Sequence, residues 1–250
     1  EEGPVSSAGN PASGPGDPAS AGLSVRGLVV ELGGREILHG IDLDLAPVAD
    51  VVTADMSTRN QPIGQLGRGY GQTASDVTTN AGAVIAGMHA AGVTTSIKHF
   101  PGLGDVTANT DEAVAVDTTT RADSDTVGVF AALSGSTDTI MVGSAIYRQI
   151  DPDNPALFSS AIVTDLLRDR LGYGGVIVSD DLGAAAALDA YDVAGRGTRF
   201  LRAGGDLLDG GVYRFERSGA LAEQRIGPVH QLSDVVHGGQ QTFRYRRQLL

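Results

Sequence analysis

Between residues 41 and 210, short apolar runs alternate with segments of helical period, and few architectures accommodate that order. "IDLDLAPVAD" (41–50) alternates Ile41, Leu43 and Leu45 and stops at a proline, as a strand does. "SDVTTNAGAVIAGMHAAG" (75–92) places Val77, Ala81, Val84, Ile85 and Met88 on one helical face, with Gly92 just past the end. "VTTSIKHF" (93–100) reads as a strand, 123–134 as a helix and "TIMVGSAIY" (139–147) as a strand. "SSAIVTDLLRDRLG" (159–172) reads as a helix with a serine cap and a glycine stop. Then come "GGVIVSDD" (174–181) as a strand, "ALDAYDVAGRGTRFLRAG" (187–204) as mostly helix and "GDLLDGG" (205–211) as a short strand. Ahead of these, "VRGLVVELGGREIL" (25–38) has helix-like spacing, weakened by Gly33-Gly34. Strand–helix alternation predicts an α/β protein with a parallel sheet under covering helices.

Both a doubly wound sheet and a closed barrel gather their chemistry at the carboxyl ends of strands. Here polar residues stand at such ends on several strands: Asp50, Lys98-His99, Ser144, Ser179-Asp180 and Asp209. Sites contributed by many strands suit a TIM-like (β/α) barrel. No strand is followed by a dinucleotide or P-loop fingerprint, since "GRGYG" (67–71) has the glycines but neither the spacing nor the lysine. The expected organisation is a flexible lead-in over 1–25, a barrel domain over 26–215 and an irregular tail over 216–250, where Pro228, Gly238 and Gly239 break any long helix.

The formal charge of −12 disfavours a nucleic-acid or anionic-membrane partner, both of which need basic surface. With no cysteine there is no disulfide or thiolate chemistry. No run approaches the length of a membrane span, and the first residues lack a signal pattern, so cytoplasmic and secreted locations both stay open.

Lys98 is the only lysine of the chain. It adjoins His99, and on an ideal strand the two would face opposite ways, so both reach one ligand only if the backbone turns at the strand end. Together they offer cationic and neutral donors to vicinal hydroxyls. The plainer alternatives are a surface lysine and a half-buried histidine. Asp180 ends an apolar strand, where a carboxylate serves as nucleophile toward an anomeric carbon, as metal ligand or as general base. It could equally cap the next segment, a role that Asp181 fits better.

"LAPVAD", "KHFPGLGD", "IMVGSAIY…IDPDNPALFS", "LLRDRLGYGGVIVSDDLGAAAAL" and "FLRAGGDLL" occur in the order and spacing of glycoside hydrolase family 3. Over roughly residues 38–210 the chain resembles the β-N-acetylhexosaminidase branch of that family, retaining exo-glycosidases with a TIM-like barrel. The resemblance implies that Asp180 is the nucleophile forming a glycosyl-enzyme intermediate. It implies that Lys98 and His99 hydrogen-bond sugar hydroxyls, and that Arg68 in "LGRGYG" holds a hydroxyl in the same subsite. It implies a carbohydrate substrate and no metal or other cofactor.

Departures from that pattern are specific. The branch reads Lys-His-Phe-Pro-Gly-His-Gly-Asp and then Asp-Ser-His, whose histidine serves as acid/base on a mobile loop. Here Leu103 replaces the first histidine and Asn109-Thr110-Asp111 stands in place of Asp-Ser-His. Asp111 takes the acid/base role if its pKa rises toward neutrality; otherwise it is a solvated loop residue, and Asp105 is a weaker candidate. "EEGP" at the start is similar to the end of the family's Gln-Glu-Gly-Gly motif, which implies a barrel incomplete at its N-terminus. The expected function is a retaining exo-glycosidase for terminal β-linked N-acetylhexosamine or glucose. The alternatives are a catalytically impaired or fragmentary family member that binds sugar, and a Schiff-base lyase using Lys98.

Overall fold

The computed structural model describes residues 28–32, 35–41, 43–210, 232–237 and 240–245, with side chains described over 43–210. Its strands are β1 (Leu28–Leu32), β2 (Arg35–Ile41), β3 (Leu43–Asp44), β4 (Thr94–Phe100), β5 (Val116–Asp117), β6 (Thr139–Val142), β7 (Ile146–Tyr147), β8 (Asp151–Pro155), β9 (Val176–Ser179), β10 (Leu232–His237) and β11 (Gln240–Tyr245). Its α-helices are α1 (Ala74–Ala90), α2 (Asp125–Leu133) and α3 (Val193–Ala203), with a π-type helix over Ala161–Arg170.

The main sheet runs β10-β11-β3-β4-β6-β9. β3, β4, β6 and β9 are parallel, as the alternation predicts, with Leu43 opposite Thr94 and Ile140 opposite Ile177. Successive side chains on a strand point to opposite faces. Ile97, Ile140, Val142 and Ile177 therefore join the large core beneath the helices, while Leu43, Leu45, Met141 and Val178 form a second cluster with Leu207. Burial on both faces is why these strands read as unbroken apolar runs.

Helix α1 starts where Thr73 Oγ1 accepts from the Asp76 amide and donates to its carboxylate, and it buries Val77, Ala81 and Ile85. Helix α2 lays Phe130 edge-on against Phe100 of β4, ring centroids 5.3 Å apart. These contacts fix the carboxyl end of β4, where the chemistry-bearing residues lie.

Several sequence expectations are corrected. Of residues 25–38, expected to be helical, 28–32 and 35–38 lie instead in the antiparallel pair of β1 and β2, with Leu32 opposite Arg35. Two β-branched-rich runs flanking Gly-Gly are a hairpin signal, and it overrides the helical spacing. The expected helix over 187–204 is regular only from Val193, after a single 3₁₀ turn at Ala186–Leu188. The strand expected over 205–211 reduces to one bridge, Leu207 to Val178. No closed barrel forms among the described residues, because β10 and β9 are the two edges of the sheet. Beside β3 stands the antiparallel β10–β11 hairpin, paired through Phe243 to Leu43 and Thr242 to Asp44.

Candidate functional site

At the carboxyl ends of β3, β4 and β9 the chain encloses a cleft of about 620 Å³. Its lining includes Arg68, Lys98, His99, Asp111 and Asp180, the five residues singled out in the sequence, brought together from four separate segments. Asp44, Tyr70 and Asp181 line it too.

Lys98 and His99 end β4 and are both nearly inaccessible, at 4% and 5% exposed, which excludes the surface-lysine reading. Both side chains reach the same cleft, and the peptide between them is cis. Beneath them lies Asp50, fully buried. Its Oδ1 accepts from the backbone N–H of His99 (3.1 Å) and of Leu103 (2.7 Å), and its Oδ2 pairs with His99 Nδ1 at 2.8 Å. A carboxylate only accepts, so Nδ1 carries the proton and Nε2 is left to the cleft.

Burial pushes the Lys98 ammonium down to about 8, helped by the Arg68 charge and opposed by the carboxylates of Asp180, Asp44 and Asp50. Such a lysine sits close to losing its proton. Asp44, at the end of β3, is raised above the usual carboxylate range by burial, against the attraction of Lys98. Arg68 is held by its Nη1–H to the Pro62 carbonyl at 3.0 Å, in a turn that passes through Gly67 at φ +63°.

Asp180 follows β9 directly, its N–H donating to the Val142 carbonyl at 2.9 Å. Asp181 takes the capping role, its Oδ1 accepting from the amides of Gly183 (2.8 Å) and Ala184 (3.2 Å). Opposite, Asp111 is exposed at the rim. Partial desolvation by the cleft wall raises its pKa first, and the Asp180 charge second, while His99 acts in the other direction. A carboxyl with a raised pKa and a second carboxylate thus face one cleft.

Leu103, the departure noted in the sequence, is 1% exposed and belongs to the core rather than to a polar network. Sequence reading missed two residues here and the partner of a third. Asp44 and Tyr70 carried no motif, and Asp50 showed only as a strand-end acid, its partner 49 residues away. The signal that could have found Asp50 is its place one strand over from Lys98, since Val48 bridges Lys98 in parallel register.

A parallel α/β sheet with a polar, carboxylate-bearing cleft at its strand ends has the layout of an α/β-class active site. The chain belongs to glycosyl hydrolase family 3, matching the family's N terminal domain over residues 29–237. A β-hexosaminidase of Stenotrophomonas maltophilia is 32% identical over 222 residues, 81% of this chain and 64% of that protein. Among solved structures, the β-N-acetylhexosaminidase from Beutenbergia cavernae aligns at TM-score 0.66 and 48% identity, covering 68% of this chain and 51% of that one. A family 3 β-N-acetylglucosaminidase from a Paenibacillus species aligns at TM-score 0.61 and 30% identity, over 67% of this chain and 32% of that one. The chain thus spans less than two thirds of the length of the curated relatives it matches.

Proposed function

We propose that this protein is a retaining exo-glycosidase that removes terminal β-linked N-acetylhexosamine through a covalent glycosyl-enzyme intermediate. The observation that carries this reading is the convergence of Asp180, Asp111, Arg68, Lys98 and His99 on one cleft. In the first step an Asp180 oxygen bonds to the anomeric carbon while the glycosidic C–O bond breaks, and Asp111 gives its proton to the departing oxygen. In the second, Asp111 takes a proton from water as that water displaces Asp180. Lys98, His99 and Arg68 grip the hydroxyls of the terminal sugar, with Asp50 holding the His99 ring.

The names of the relatives support the amino sugar over glucose, and the raised Asp111 supports a carboxylic acid in the place of the family's histidine. The test is hydrolysis of p-nitrophenyl β-N-acetylglucosaminide beside the β-glucoside, by the wild type and by Asp180→Asn. Turnover of the amino sugar that Asp180→Asn abolishes is the expected result. Full activity in Asp180→Asn overturns the nucleophile. A folded protein that turns over neither substrate yet gains thermal stability from N-acetylglucosamine is a sugar-binding member of the family.

A further inference from the structure

We propose that Asn60 and Gln61 form a clasp whose task is to position Asp111, an inference that rests on the acid/base reading of Asp111 given above. Asn60 is fully buried and absent from the cleft lining, so it acts through other residues. The two hydrogens of its Nδ2 are shared among the carbonyls of Leu103 (2.6 Å), Gly104 (3.1 Å) and Val106 (2.9 Å). Its Oδ1 accepts from the amides of Ile63 (3.0 Å) and Gly64 (2.9 Å). One side chain therefore joins the segment that runs on to Arg68 to the segment that leads from His99 toward Asp111.

Gln61 carries the connection two steps further. Its backbone N–H donates to the Thr107 carbonyl at 3.3 Å, and its Oε1 accepts from the Asn109 amide at 3.0 Å. Asn109 Oδ1 in turn accepts from the Asp111 amide at 3.3 Å. On the far side the Thr110 carbonyl accepts from Ala186, beyond the nucleophile strand, at 2.9 Å. The stem is seated as firmly: Leu103 is bonded to Asp50, and a Cβ on Gly104 would stand 1.9 Å from the Val51 carbonyl oxygen. Asp111 is exposed, but the peptide that precedes it is held at both its groups, the N–H through Asn109 and Gln61 and the carbonyl by Ala186. Proton transfer demands that placement, because small displacements of a catalytic group cost large factors in rate.

The inference predicts that loosening the clasp impairs protonation of the leaving group and little else. The full chain is assayed as wild type, Asp111→Asn, Asn60→Asp and Gln61→Ala, on chitobiose and on 2,4-dinitrophenyl β-N-acetylglucosaminide. The first substrate needs its leaving oxygen protonated and the second does not. Asn60→Asp keeps the acceptor for Ile63 and Gly64 but loses the donors to 103–106. Gln61 is exposed, so its replacement leaves the core intact. Asp111→Asn should lower kcat/KM on chitobiose by about 10²–10⁴-fold and far less on the activated substrate. The clasp variants should lose about tenfold or more on chitobiose and less than about twofold on the dinitrophenyl glycoside. If Asp111→Asn shows that split and both clasp variants do not, the clasp is overturned and Asp111 stands. If Asp111→Asn shows no split, the acid/base reading falls and the clasp with it.

Discussion

Asp50 holds His99 at two points, the backbone N–H at 3.1 Å and the ring Nδ1 at 2.8 Å, so one buried carboxylate sets both the position and the tautomer of a residue that lines the cleft. A third donor, the Leu103 amide, completes its coordination. Asp50→Asn turns an NH₂ group toward one of these N–H donors. Hydrogen bonds to a charged acceptor are worth about 1.5–3 kcal/mol, so the variant should lose at least about 2 kcal/mol of stability. Its KM should also rise as the His99 ring loses its restraint. Urea unfolding and steady-state kinetics check both, and an Asp50→Asn protein with wild-type stability would contradict the arrangement.

Lys98 gives the protein a pH dependence with a defined sign. Its folded pKa is lowered to about 8 by burial and then by Arg68, so the cleft loses this cation as pH rises through that value. The profile of kcat/KM should show a basic limb near pH 8, and Lys98→Arg, protonated throughout, should remove that limb. The stability effect runs the other way. Below about pH 8 the folded and unfolded states are both protonated and burial of the charge is fully unfavourable. Between about 8 and the ordinary lysine value of 10.5 the folded protein alone sheds the proton. Wild type should therefore gain stability relative to Lys98→Met across that window, measured by denaturation at stepped pH.

Asp111 is raised first by desolvation and then by the Asp180 charge. Removing that charge in Asp180→Asn should lower the Asp111 pKa without restoring activity. Titration of the labelled carboxyl carbons by NMR reads this directly. An Asp111 signal that titrates identically in both proteins would separate the two groups electrostatically.

Gly104 has no room for a side chain, since a Cβ there would lie 1.9 Å from the Val51 backbone oxygen. The obstacle is backbone, so it cannot rotate away. Gly104→Ala should cost about 3 kcal/mol or more, at or beyond the upper end for overpacking. The shift in thermal midpoint gives the measure, and a shift no larger than that of Gly128→Ala, where nothing lies within 4 Å of the added carbon, would refute it.

What was legible in the sequence were features whose causes are local. β4, β9 and α1 declared themselves because each is a run of one period ended by a proline, a polar pair or a glycine. Residues 25–38 were misread because Val25, Leu28, Val29 and Leu32 fall at helical spacing while Leu28, Val30 and Leu32 alternate as on a strand, and only the pairing decides. Of the cleft, the residues with motifs were visible, while Asn60, buried behind it, was not. Its carbonyl partners lie 43–46 residues away and are backbone atoms, which no residue type marks.

The pairing of β11 with β3 has a consequence for synthesis. Phe243 meets Leu43 across two hundred residues of chain, whereas β3 meets β4 after only about fifty. A ribosome adding about 5–20 residues per second leaves β3 with one hydrogen-bonding edge bare for about 10–40 s after it emerges. The strand that carries Asp44 to the cleft is made well before its second edge is flanked. During that interval it is the part of the sheet most open to a wrong partner.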